Sequence, residues 1–425
     1  MFELTYKTKR MKTTIKKVVS HISLILLFTM QASAQLGPVI TCWILNRTGA
    51  TGYGGIETNV QLVQYDKSNV YVSCTCIPGY SIGPWSGDPN IPSNQNFVFK
   101  ITRSPQKNSG TPDSTGLGQI GVWTNGVVAY NAEDGMTYNN AGIWHRNAYY
   151  FEGSSFDDCL GHPDQSGCYH HHVSPKCLYT ITDSTQHSPL IGYAFDGYPI
   201  YGAYGYTNPN VAGSVKRMRS SYQLRHMAQR DTLPNNTVLP VSEDGPAVSA
   251  SYPLGDFLED YIYVDSSGDL DAHNGRYCVT PEYPSGIYAY FVTLNASLLP
   301  AYPYVLGPTY YGVVQAGNTG PKSGHNTPVD STTLYTAVKN VKKQINLSLD
   351  PNPVTDYAYF YIDPASDNNI SGGLYDATGK LLKSYQMLQP SMSYSINFTN
   401  YPPGVYFLHL QTVNTSFTKK IIKIQ

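Results

Sequence analysis

The 425 residues carry 28 Lys and Arg against 29 Asp and Glu, a net charge of −1, and only 13% of the chain is charged, against roughly a quarter in an ordinary soluble domain. Six of the positive side chains and one negative one lie in the first 34 residues, a local charge of +5, so the remainder stands at −6. That balance excludes the basic surface on which nucleic-acid binding relies.

The chain opens on Lys7, Lys9, Arg10, Lys12, Lys16 and Lys17, followed by the apolar run VVSHISLILLFTM and by Ala32-Ser33-Ala34. A basic start, a short apolar stretch and a small-x-small site are expected to be a secretory signal peptide over residues 1–34, with Gln35 as the mature N-terminus. The apolar run is too short to span a bilayer, which takes about 20 residues. No later run is longer, so no transmembrane segment is expected in the mature chain.

Residues 35–312 hold all seven cysteines, all four tryptophans and most of the 37 tyrosines, which outnumber Phe and Trp combined. Tyrosine suits half-buried strands, where the ring packs and the hydroxyl finds a partner. With 37 glycines and 29 prolines marking turns, this segment is predicted to be one large β domain without long helices.

Residues 313–344 include QAGNTGPKSGHNTPVDSTT, which has little to bury and reads as a linker. From 345 to 425 short alternating runs follow one another: LSLD, YAYFYID, GGLYDATGKLLKSY, SYSINF, GVYFLHLQT and FTKKIIKIQ. Period-2 patterning with turns this close, ATGK among them, predicts a small antiparallel β-sandwich. The fold class is therefore mainly β.

GCYHHHVSPKCL, residues 167–178, concentrates the chemistry. If Tyr169 to His172 is extended, His170 and His172 share one face and Tyr169 and His171 the other. A His-x-His pair offers two imidazoles to one ion, and imidazole suits Zn, Cu, Fe and Ni. A zinc centre needs four ligands, or three and a water. GHPD supplies His162, and HSPLIGYAFDGYPIYG supplies His187 and Asp196; His145 and His273 lie further off. Five of the ten histidines beyond the leader fall between 162 and 187. Imidazoles this close repel when protonated and favour a shared cation.

A metal site is thus expected on His170 and His172, with His162, His187 and Asp196 as further ligands or supports and copper or zinc as the ion. A His/Tyr/Asp hydrogen-bond network and a metal-free acid–base site are the other readings of the cluster. Cys159, Cys168 and Cys177 bracket the run, so one loop-closing disulfide is expected among them; Cys74 and Cys76 are expected in separate disulfides. Phe257-Leu258-Glu259-Asp260-Tyr261 and Asp269/Asp271 are weaker carboxylate pairs, and Val215 to Arg219 reads as a solvated basic loop. No phosphate loop, nucleophile-elbow serine or HExxH helix is present.

Two resemblances join this reading. Tyr169-His170-His171-His172, with GVWTNGVVAYNAEDGMTYNNAGIW and DCLGHP before it and HSPLIGYAFDGYPIYGAYGY, YPLGDFLEDYIY and NGRYCVTPEYPSGIYAYFVT after it, resembles the YHYH family. The third position of the run is His171 in place of the family's tyrosine, which puts in doubt any role for a phenol there but leaves the His170/His172 pair intact. The resemblance brings no established activity with it.

Pro351-Asn352-Pro353, Leu374 to Lys380, Pro403-Gly404-Val405-Tyr406 and Lys419-Lys420-Ile421-Ile422-Lys423 resemble the C-terminal sorting domain of the type IX secretion system of Bacteroidota. That likeness implies the type IX machinery as partner and a secreted or outer cell-surface location. A non-catalytic module binding a surface glycan through stacked rings is the alternative function, with Trp85, Trp123 and Trp144 as the rings to inspect.

Overall fold

The computed structural model describes residues 36–320, 322–336, 347–362, 370–388, 392–411 and 416–425. The expected signal peptide and residues 337–344 of the expected linker lie outside them. The chain divides into two compact units, 1–335 and 336–425, both mainly β; among the described residues the α-helices of the first are single turns, Pro38–Thr41 and Ala148–Phe151.

The first unit is built on an eight-stranded mixed sheet. Its order is Gly275–Cys278, Ile287–Phe291, Pro199–Tyr201, Leu190–Ala194, Gln119–Trp123, Val128–Tyr130, Tyr169–His171, His162–Pro163. Two pairings are parallel, Pro199–Tyr201 with Ile287–Phe291 and Val128–Tyr130 with Tyr169–His171; the others are antiparallel. Leu190–Ala194 and Gln119–Trp123 are buried at every residue. That explains their near-continuous apolar sequences, since both faces of the sheet are covered.

A second sheet, ordered Thr333–Leu334, Val60–Tyr65, Asn69–Cys74, Phe97–Thr102, shares the same core. Phe99 and Phe195, one from this sheet and one beside the large sheet, meet at 5.0 Å between ring centroids. Residues 313–335, read above as connecting segment, are hydrogen-bonded to this unit. Gln315 N donates to Phe195 O, Asn318 exchanges two bonds with Lys100, and Tyr335 N donates to Val63 O. Polar composition misleads there because the segment's asparagines serve as backbone partners, Asn318 being fully buried.

The expected basic loop is a strand: Val215–Arg217 pairs with Tyr204–Tyr206, Met218 is buried, and Lys216 and Arg219 pair with Asp269. The other carboxylates singled out above are likewise engaged. Glu259 binds His145, and Asp260 binds the fully buried Arg230 through two oxygens at 2.7 and 2.8 Å.

The second unit is the sandwich its alternation predicts. One antiparallel sheet runs Leu347–Asp350, Tyr357–Ile362, Ser393–Asn397; the other runs Leu381–Leu388, Ile370–Asp376, Gly404–Gln411, Ser416–Lys423. Tyr357–Ile362 alternates exposed and buried without exception, and Phe360 meets Tyr385 of the facing sheet at 5.7 Å. ATGK makes the hairpin: Gly379 adopts φ 84°, and Asp376 Oδ1 accepts from Thr378 and Lys380 backbone N–H groups.

Candidate metal centre

His162 and His170 are directly opposite each other in the hairpin that joins His162–Pro163 to Tyr169–His171. Asp164 fixes its turn, accepting on Oδ1 from the N–H groups of Ser166 and Cys168 and on Oδ2 from the Tyr130 hydroxyl at 2.8 Å. Tyr130 in turn lies flat on His170, ring centroids 3.9 Å apart. The strand alternation works as the period of two requires. His170 and His172 turn to one side, while Tyr169 and His171 pack edge to face on the other.

On that second face the Tyr169 hydroxyl donates to Asp157, which also accepts from the N–H groups of Gly83, Cys159 and Gly161. Gly161 must be glycine, because a Cβ there would sit 2.5 Å from the Tyr169 hydroxyl and 2.9 Å from the His170 carbonyl.

Glu152 comes from elsewhere. Asn147 caps the Ala148–Phe151 turn, its Oδ1 accepting from Tyr149 N–H, and its own backbone N–H and side-chain amide tie it to Asp256 O and Gly255 O. Glu152 ends that turn with its N–H on Ala148 O, and its carboxylate swings over the histidine face. The result is one group of four ligand atoms, from Glu152, His162, His170 and His172, all within 4.8 Å of one another.

The tautomers follow from the outer partners. His170 Nδ1 faces the Cys168 carbonyl at 3.0 Å and His172 Nδ1 faces the Asn131 carbonyl at 2.6 Å, so both Nδ1 atoms carry hydrogen. Ser155 Oγ donates to Glu152 O and therefore accepts from His162 Nδ1, 2.8 Å away. All three Nε2 atoms are then bare lone pairs. They converge: His170 Nε2 to His172 Nε2 is 3.0 Å, and Glu152 Oε2 is 3.0 Å from His172 Nε2 and 3.3 Å from His162 Nε2.

Glu152 Oε2 and His162 Nε2, both buried, have no hydrogen-bond partner among the described residues. Four acceptors without a donor repel one another unless positive charge sits between them. Ligands about 2.0–2.1 Å from one ion lie about 2.9 Å apart at right angles and about 3.3 Å apart at tetrahedral angles, which brackets these three separations; the remaining pairs lie within 4.8 Å.

Burial, and then the neighbouring His162 and His172, push His170 well below the ordinary histidine range. Burial opposes ionisation of Glu152, yet hydrogen bonds and positive charge from His162 and His172 hold its carboxyl below the usual range; without an ion, that positive charge is a proton on one of these two rings. The group lines a cavity of about 820 Å³ whose wall includes Asp88, Glu133, Asp134, Glu152 and Asp164 and no Lys or Arg. Such a wall attracts cations and repels anions.

His187 and Asp196 are not part of this centre. Their segments flank or follow Leu190–Ala194, which stands three strands from Tyr169–His171 in the sheet order, about 14 Å at 4.8 Å per strand. His187 Nδ1 pairs with Ser188 O at 2.7 Å, and its ring packs against Tyr201, Tyr206 and Phe291 beside a separate cavity of about 470 Å³. Asp196 does sit in a tight turn, but fully buried and engaged, accepting from the Tyr290 hydroxyl at 2.5 Å and from Gly312 and Tyr198 N–H. His145 lies between Glu259 and Glu133, and His273 against Thr309. Glu152 had no signal in the sequence beyond being one carboxylate among 29.

Burial pushes the Asp196 carboxyl up from 3.8 to about 6, against hydrogen bonds from Tyr290, Gly312 and Tyr198 that favour the ionised form. A raised folded pKa means the native state holds the proton more tightly than the unfolded chain. Its contribution to stability therefore falls as pH rises from about 4 to 6, by roughly 3 kcal/mol in all. Asp196→Asn has no such proton, so wild type should lose stability relative to the variant across that window in urea melts. A difference that stays constant with pH contradicts the assignment.

Cys159 and Cys177 form the loop-closing disulfide; the structure draws no bridge at Cys74 or Cys76, although Cys76 Sγ lies 3.8 Å from Cys168 Sγ. Cys74 is buried beside Gly126, where an added Cβ would meet its Cβ at 2.5 Å, so no partner sulfur fits on that side. Trp123 and Trp144 are fully buried, and Trp85 is half-buried with its N–H on Gly161 O, so these rings form no exposed row for a sugar face.

The chain thus combines a tyrosine-rich mixed-sheet unit bearing a histidine-lined acidic cavity with a small, wholly antiparallel sandwich. Residues 98–303 match the family described as YHYH protein, and residues 348–425 match the secretion system C-terminal sorting domain; both resemblances read from the sequence are present in this chain. No curated protein matches it. The sorting domain is of the type IX kind and marks the protein for export and attachment at the cell surface. Among the described residues no helix is long and apolar enough to cross a membrane.

Proposed function

We propose that this exported protein binds one transition-metal ion, copper or zinc, through His162, His170, His172 and Glu152. What carries the reading is the convergence of three bare Nε2 atoms on a carboxylate oxygen, with each Nδ1–H spent on an oxygen that orients its ring. Outer partners of this kind set ring orientation and ligand basicity in metal centres. Three imidazoles and a carboxylate suit both ions. An ion here faces an open cavity, where it would supply Lewis acidity to a bound water or substrate oxygen. The chain's own part is to fix the rings through Ser155, Cys168 and Asn131 and to keep anions out with the acidic wall.

Adding cobalt(II) to metal-stripped protein tests this. The expected result is a visible absorption band that saturates at one equivalent and is displaced by zinc or copper. A protein that stays spectrally silent through excess cobalt, and shows no heat on titration with zinc or copper, overturns the proposal.

A further inference from the structure

We infer that Cys76 and Cys168 are joined in the exported protein by a second disulfide, which anchors the entrance of the histidine strand. Their sulfurs lie 3.8 Å apart, with Cys76 Sγ also 3.1 Å from the Tyr169 carbonyl oxygen. Cys76 has φ 68°, a left-handed conformation that glycine or asparagine takes readily and cysteine rarely. Cys76 stands two residues beyond the Asn69–Cys74 strand and Cys168 immediately precedes Tyr169–His171, so the contact joins the end of one strand to the start of the other.

Bond formation joins the two sulfurs and breaks two S–H bonds. Two electrons and two protons pass to a disulfide-bearing oxidant, an oxidoreductase or a small-molecule disulfide, which leaves as two thiols. Cys76 and Cys168 are 0% and 2% exposed. The exchange therefore occurs during folding in the oxidising compartment, before the core closes, and the finished bond is shielded from reductant. The bridge would close a span of 92 residues. With Cys159–Cys177 it would hold Tyr169–His172 from both sides, and the Cys168 carbonyl that orients His170 would be fixed in place.

The test is a thiol count on the exported chain, denatured with an alkylating agent and without reductant, followed by peptide mapping. Seven cysteines less two bridges leave three alkylated thiols, Cys42, Cys74 and Cys278, and one peptide pair joined through Cys76 and Cys168. Five or more alkylated thiols, or Cys168 joined to any other cysteine, overturns the inference. The count does not depend on whether the histidine centre holds an ion.

Discussion

Glu152→Gln is expected to abolish stoichiometric metal binding and, in the metal-free protein, to raise the melting temperature. The two effects have one cause. In the wild type, Glu152 Oε2 faces the lone pairs of His172 and His162 at 3.0 and 3.3 Å with no donor between them, a repulsion that an ion relieves. An amide of the same shape places N–H groups where the carboxylate oxygen was, so the imidazoles gain hydrogen bonds at about 1 kcal/mol each while the ion loses an anionic ligand.

His172→Ala removes a ligand and should cost more affinity than the roughly 10–100-fold that loss of an outer partner brings. Ser155→Ala removes only the acceptor for His162 Nδ1–H and should fall within that range. Zinc and copper titrations of the four proteins, with thermal melts of their stripped forms, check the order. A stripped Glu152→Gln protein less stable than wild type would show that protons, not an ion, already balance the group.

The second large effect lies away from the cavity. Arg230 is fully buried, pairs with Asp260 through two oxygens, and donates to the carbonyls of Pro246, Tyr252 and Pro253. Asp260 also accepts from Gly255 and Phe257 N–H. Arg230→Met strands a buried carboxylate and three carbonyls, and breaking such a pair costs about 3–5 kcal/mol.

The consequence reaches the site. Gly255 O and Asp256 O receive the Asn147 side chain and backbone, and Asn147 caps the turn that presents Glu152. Urea unfolding should show the loss in stability, and the folded fraction should bind its ion more weakly. Unchanged stability would mean that this network is relaxed in solution.

How much of this was legible in the sequence depends on distance along the chain. The strands of the sandwich follow from alternation, and the Ile370–Asp376/Leu381–Leu388 hairpin from its short ATGK turn, whereas the pairings of Tyr357–Ile362 with Ser393–Asn397 and of Ile370–Asp376 with Gly404–Gln411 skip intervening strands and are not encoded locally. His170 and His172 follow from the period of two, and His162 from a hairpin only a few residues long.

Glu152 did not follow, since its place is set by Asn147 and, through it, by residues 255 and 256, more than a hundred positions away. His187 and Asp196 misled for the converse reason. They are near in sequence, but the chain crosses to the middle of the sheet, and Gln119–Trp123 and Val128–Tyr130, which come earlier in the chain, fill the gap. Residues 313–335 look like a linker by composition and are bound to the first unit by backbone pairing, which composition does not encode.

The most direct test of the central claim is elemental analysis of the exported chain, purified without a polyhistidine tag, beside its His170→Ala/His172→Ala variant. One equivalent of copper or zinc in the wild type and none in the folded variant is the result this structure predicts. A folded wild type that carries no metal, even after incubation with both ions, would contradict it and leave the histidines as a hydrogen-bonded network.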